Sequence, residues 1–187
     1  MELGKKLYVT KRKQWRSWLI KNHNKEKEIW LIYYRKSSGK KRIPYNDAVE
    51  EALCYGWIDS ILKKIDKQKF AQRFSPRRPT SMLSQLNKER IHRLIEKNKM
   101  TIKGLNAVKH VFDDSSKYSK CIIKEDIIKL LKKDKTTWKN FQEFPESYKR
   151  IRIQWIEGAR TRPELFKKRL EYFLKMTAKN KKYGMFQ

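Results

Sequence analysis

Seven side chains in the middle of the chain have the types and spacing to grip an anion: Trp57, Asp59, Arg73, Arg77, Arg78, Ser84 and Asn87. In the run Arg73-Phe74-Ser75-Pro76-Arg77-Arg78-Pro79, three guanidinium groups flank two prolines that stiffen the backbone. A stiff loop loses less entropy on closing around a phosphate or carboxylate, and guanidinium offers paired donors to either. Trp57 and Asp59 stand two apart in a strand-like run, so they share one face, and Arg73 and Arg77 are the expected partners of the Asp59 carboxylate. That pairing reads first as a structural ion pair joining strand to loop, and second as the wall of a ligand pocket. Ser84 and Asn87 add hydroxyl and amide groups, although capping the following helix is the commoner use of such residues.

Chemistry beyond binding finds little support. Cys54 falls in the last turn of a helix, where backbone carbonyls oppose thiolate formation. His23, His92 and His110 lie in three different segments, none spaced to serve Cys54 as a base. No Cys-x2-Cys, His-x3-His or acidic-loop spacing supports zinc or calcium. The six glycines are isolated, which removes the phosphate-cradling and dinucleotide fingerprints. A single carboxylate cannot supply the acid and base of a glycosidase. No catalytic residue, metal ligand or cofactor is therefore assigned. Tyr148 and Trp155, at helical spacing, read as core.

The elements that position these residues follow from hydrophobic periodicity. Trp15, Trp18 and Leu19 predict an amphipathic helix over 11–22, and Ile29 to Tyr34 a buried strand. Pro44 opens a helix whose apolar stripe is Ala48, Val49, Ala52 and Leu53, with Asp47, Glu50 and Glu51 toward water and Gly56 as left-handed cap. Trp57 to Ile65 and Phe70 to Phe74 read as an antiparallel hairpin. Helices are expected from Ser84 to Asn98, after Thr101, around Ile123 to Leu131, around Tyr148 to Ala159, and after Pro163. The fold class is α+β: a small antiparallel sheet of about three strands packed with helices over 1–112, a linker at 113–122, and an all-helical subdomain over 123–187.

The chain's 187 residues suffice for such a core, and 39% hydrophobic content argues against disorder throughout. Forty-eight Lys and Arg against twenty Asp and Glu give a formal net charge of +28, which attracts anionic partners. The excess of Lys over Arg, 34 to 14, also fits an AT-rich coding sequence. Two distant cysteines, no apolar leader and no membrane-length apolar run lead to the expectation of a cytoplasmic protein.

Trp15-Arg16-x-Trp18-Leu19, Ile29-Trp30-Leu31, Pro44-Tyr45-x-x-Ala48-Val49-Glu50-Glu51-Ala52-Leu53-Cys54-Tyr55-Gly56-Trp57-Ile58-Asp59-Ser60 and Arg73-Phe74-Ser75-Pro76-Arg77 resemble the YdeI/OmpD-associated, or bacteriocin-protection, family. The likeness continues through Ser84-x-x-Asn87-x-Glu89-Arg90 and Met100-Thr101-x-x-Gly104-Leu105, and more loosely around Trp155-Ile156. It implies an α+β domain followed by a helical subdomain, with a link to antimicrobial-peptide tolerance or to an outer-membrane porin, and no catalysed reaction. Leu83 departs from the family pattern, which has Trp before Ser84, and Thr161 to Phe166 differs in length and residue type.

Three functions follow as expectations. The first is a non-enzymatic binding protein for an anionic ligand or protein partner. The second is a nucleic-acid-binding protein using the basic surface, supported by charge alone. The third is an enzyme acting on a small anionic metabolite in a pocket of Trp57, Asp59, Arg73 and Arg77.

Overall fold

A computed structural model describes residues 3–112 and 120–185, so most of the expected linker, 113–119, lies outside the described residues. The chain divides into two compact units, Met1–Leu83 with Arg90–Asp113, and Ser84–Glu89 with Asp114–Gln187.

The first unit runs through β1 (Lys6–Leu7), α1 (Arg12–Asn22), β2 (Ile29–Tyr34), α2 (Tyr45–Cys54), β3 (Trp57–Lys64) and β4 (Lys69–Pro76), then α3 (Gln85–Glu96) and α4 (Ile102–Asn106). The fold is α+β, but the sheet has four strands in the order β1-β2-β4-β3 and is mixed, because β1 pairs parallel with β2. Two residues are too short to show a period, which is why β1 escapes sequence reading. The β3–β4 hairpin closes on Asp66, whose Oδ1 accepts from the Gln68 and Lys69 amides at 2.7 and 2.9 Å. Along β3 the pairing register breaks between Asp59 and Leu62.

Ile29, Leu31 and Tyr33 stand opposite Phe74, Gln72 and Phe70, so alternate residues of β2 and β4 turn one face toward the helices. The core there joins Trp15 and Leu19 of α1, Ala48, Val49 and Leu53 of α2, and Ile91 and Leu94 of α3. Trp57 meets Trp18 edge-on, Trp18 stacks on Trp15, and Trp15 meets Phe74, with centroids 5.7, 5.2 and 5.5 Å apart. Both buried indole N–H groups are satisfied: Trp15 donates to the Ala48 carbonyl at 2.9 Å and Trp57 to the His23 carbonyl at 3.1 Å.

Glu50 and Glu51 do not face water as the α2 stripe suggests. They are 9% and 2% exposed and bind arginines of α1 and α3. Arg12 donates to both, Arg16 to Glu51 at 2.7 Å, and Arg93 to Glu50 at 3.1 Å. The helix pattern sorts residues by polarity, and a carboxylate matched by guanidinium groups can occupy an inner position.

At the end of α2, Gly56 takes φ +74°, as its role of cap requires. The Thr101 hydroxyl accepts from the Gly104 amide at 3.2 Å, capping α4, and donates to the Cys54 carbonyl at 2.6 Å. Gly104 sits so close to the end of α2 that a Cβ there would stand 2.3 Å from the Cys54 carbonyl oxygen.

The second unit consists of α5 (Glu125–Lys132), α6 (Lys135–Glu143), α7 (Glu146–Glu157) and α8 (Pro163–Ala178), together with the start of α3. Its core includes Ile127, Leu131, Phe141, Tyr148, Ile156, Leu170 and Phe173. Helix α6 has only Trp138 and Phe141 as a stripe and is missed by periodicity. Asp134 starts it, accepting from the Thr137 amide at 2.6 Å. No helix among the described residues is long and apolar enough to cross a membrane.

Candidate functional site

The seven residues singled out by sequence do not gather into one pocket. Trp57 is a core residue with its N–H engaged, so it presents no surface to a ligand. Asp59 shares its face, as expected, but pairs with neither Arg73 nor Arg77. It accepts from the Tyr45 hydroxyl at 2.6 Å. Arg73 projects from the opposite face of the sheet, opposite Trp30, and donates to Glu28 at 2.7 Å, which holds the Glu28 carboxyl below its usual range. The correction follows from strand alternation: residue 73 and residue 59 lie on opposite faces because Asp59 is in register with Phe74.

Arg77 folds back to donate to the Ser81 and Met82 carbonyls at 2.9 and 3.2 Å, and burial lowers its pKa. Arg78 is exposed. Ser84 accepts from the Asn87 amide at 3.3 Å, so it caps α3, and both residues belong to the second unit.

Sequence reasoning missed Tyr33 and Tyr45 around Asp59. Tyr33 is 2% exposed and its hydroxyl has no hydrogen-bond partner. Burial raises its pKa and that of Tyr45, with Asp59 adding to both. Both phenols therefore keep their protons at neutral pH, and that of Tyr45 is donated to Asp59.

The thiols are poor nucleophiles. Burial, followed by the Glu51 charge, pushes Cys54 up to about 11, and burial followed by Glu146 does the same to Cys121. Cys54, fully buried, should not react with a disulfide reagent at pH 8 until denaturant unfolds the chain; prompt labelling of Cys54 in the native protein would refute its placement. The folded value of Cys54 lies above the ordinary one of roughly 8.5, so its contribution to stability is complete below that pH. It is lost as pH rises toward about 11, and urea midpoints measured through this window should fall. Among the described residues, no three His, Cys, Asp or Glu side chains gather to hold a metal.

Among the described residues, the second unit contains a concave feature. Tyr148 is core as expected, but Trp155 is 38% exposed, a correction to its reading as buried. Its period within α7 is that of a core residue, yet it stands at the boundary of the stripe. A cleft of about 310 Å³ beside it is lined by Ser84, Gln85, Gln154, Trp155, Arg152 and Arg169, among others. The Arg169 guanidinium lies over the Trp155 ring at 4.3 Å and donates to the Trp155 carbonyl. Arg152 is 7% exposed, and its guanidinium stands 5.8 Å from the Trp155 ring and 4.9 Å from that of Tyr183. The two cations are thus no farther apart than the sum of their distances to Trp155.

Neither cation has a carboxylate partner among the described residues, and the Nε of each is buried without a hydrogen bond. Their neighbours differ: Arg150 binds Glu89 through two bonds at 2.7 and 3.0 Å, and Arg160 binds Glu157 and Asp126. Burial pushes Tyr183 up to about 12 against the downward pull of Arg152, with which its hydroxyl makes no well-aligned hydrogen bond. Of the seven candidate site residues named from sequence, only Ser84 lines this cleft. The useful signal was a pair of arginines with no acid at helical spacing, which becomes visible only once α7 and α8 are placed together.

Comparison with known families also divides the chain in two, with residues 84–89 of the second unit falling in the N-terminal match. Residues 120–180, covering α5 to α8, match the family described as Bacteriocin-protection, YdeI or OmpD-Associated. The segment 44–87, which carried that likeness in the sequence, falls instead within a match over residues 7–107. No match was found among curated proteins or among solved structures. The longer match spans more than half of the 187 residues, so the chain belongs to the family described as a domain of unknown function, DUF8412, and has a YdeI/OmpD-associated region in its helical second unit.

Proposed function

We propose that this protein is a non-enzymatic binding protein for an anionic ligand, held by Arg152 and Arg169 in the cleft beside Trp155. One observation carries the reading: two guanidinium groups line one concave site with no carboxylate among the described residues to neutralise them. A buried, uncompensated cation is unfavourable, and a carboxylate or phosphate entering the cleft supplies the missing charge and acceptors. The volume lies within the range of roughly 300–1,000 Å³ usual for small-ligand sites. The net charge of +28 adds long-range attraction for such ligands. A cytoplasmic setting is part of the proposal, supported by the two free thiols.

Thermal shift at constant ionic strength tests it, with citrate and inorganic phosphate as probes. The melting temperature should rise with probe concentration, as mass action requires. Arg169→Met should weaken the apparent affinity at least tenfold, since each charge-assisted bond contributes about 1.5–3 kcal/mol. Arg152→Met tests the more buried partner, and the half-buried Arg169 serves as the test if that variant fails to fold. Equal responses from wild type and Arg169→Met would refute the site.

A further inference from the structure

Helix α8 carries apolar side chains, Leu165 and Tyr172, outside its core face. Leu170, Phe173 and Thr177 are buried. On its exposed side, Leu165, Arg169 and Tyr172 recur at four and three residues, and with Trp155 of α7 they line a second groove of about 460 Å³. Tyr172 is 46% exposed. Lys168, Lys175 and Glu171 complete this groove, which continues past Leu165 between Lys167 and Glu164. It meets the anion cleft at Trp155 and Arg169, which line both.

We infer that this groove docks an acidic peptide segment carrying a large apolar side chain, with a carboxylate of the segment in the Arg152–Arg169 cleft. The inference rests on the anion reading given above and names the partner of that site. The charge pattern selects the occupant. Apolar surface from Trp155, Leu165 and Tyr172 calls for a bulky side chain, while Lys168, Arg169 and Lys175 along the same groove call for carboxylates. Glu164 and Glu171 oppose a continuous phosphate backbone but can accept peptide N–H groups.

Nucleic acid would also need flat aromatic faces on which to stack bases. Here Arg169 already covers Trp155 at 4.3 Å, and Tyr172 packs edge-to-face with Tyr183 at 4.8 Å and 81°. The apolar surface of Leu165 and Tyr172 thus suits side chains rather than bases.

Fluorescence anisotropy on the full chain tests the inference with labelled ten-residue Glu/Asp-rich peptides containing a central Leu-Phe or, as control, Ala-Ala, and with a labelled oligo-dT of the same length. The Leu-Phe peptide should bind at least tenfold more tightly than the Ala-Ala peptide. Tyr172→Ala and Leu165→Ser should each remove most of that difference, while the citrate response, which depends on Arg152 and Arg169, persists. Equal binding of the two peptides, or tighter binding of oligo-dT that is lost in Tyr172→Ala, would overturn the peptide assignment. If the citrate response persists in either case, only the peptide assignment falls. If citrate and both peptides fail to bind, the anion reading falls with it.

Discussion

Replacing Gly104 with alanine should destabilise the protein by about 3 kcal/mol, although the same exchange inside an ordinary helix stabilises by roughly 1 kcal/mol. The sign inverts because of what the new methyl would meet. A Cβ at Gly104 would lie 2.3 Å from the Cys54 carbonyl oxygen, 2.7 Å from its carbon and 2.8 Å from the Leu53 carbonyl oxygen. These are backbone atoms at the end of α2 and cannot rotate away. Relief requires α4 to move off α2, which breaks the Thr101 bond to the Cys54 carbonyl. Urea denaturation of the variant measures the loss, and an unchanged or higher midpoint would contradict the close approach of the two helices.

Glu51→Ala should be comparably severe, at about 3 kcal/mol. Removing one partner of a buried ion pair leaves its counter-charge without compensation, an effect of roughly 3–5 kcal/mol. The lower end applies because Arg12 and Arg16 retain 27% and 33% side-chain exposure, so water screens part of the loss. Glu51 binds both arginines, and Arg12 also reaches Glu50 and Asp47. A double-mutant cycle between Glu51 and Arg16 should therefore show coupling well above that of an exposed pair. Additivity within a few tenths of a kcal/mol would show that the network does not hold α1 to α2.

The same residues show what the sequence could and could not reveal. Trp15 and Leu19, Ala48 to Leu53, and the hairpin from Trp57 declared themselves through local periodicity and capping, and the structure contains those elements. Thr101 and Gly56 were legible because their roles as caps depend on bonds within a few residues. Glu51 was misplaced because its partners lie 35 and 39 residues away, and no local pattern encodes them. The expected Asp59–Arg73 pair failed on the parity of one antiparallel register, which is set by how β3 meets β4. In the second unit, Arg152, Trp155 and Arg169 resemble any other residues of a basic helix pair. Only the packing of α7 and α8 brings the two arginines to one cleft.

The register break in β3 has a consequence for how the protein behaves in crowded or concentrated solution. β3 is an edge of the sheet, and Ile61 and Leu62 are 46% and 60% exposed on it. A straight strand of that kind would offer its free amides and carbonyls as a template for another copy, the first step toward aggregation. The irregularity between Asp59 and Leu62 interrupts the row of backbone groups, and Lys63 and Lys64 place like charges where a second edge would have to approach. The basic composition thus bears on the sheet as well as on any ligand: at this edge its like charges oppose pairing with a second copy of the chain.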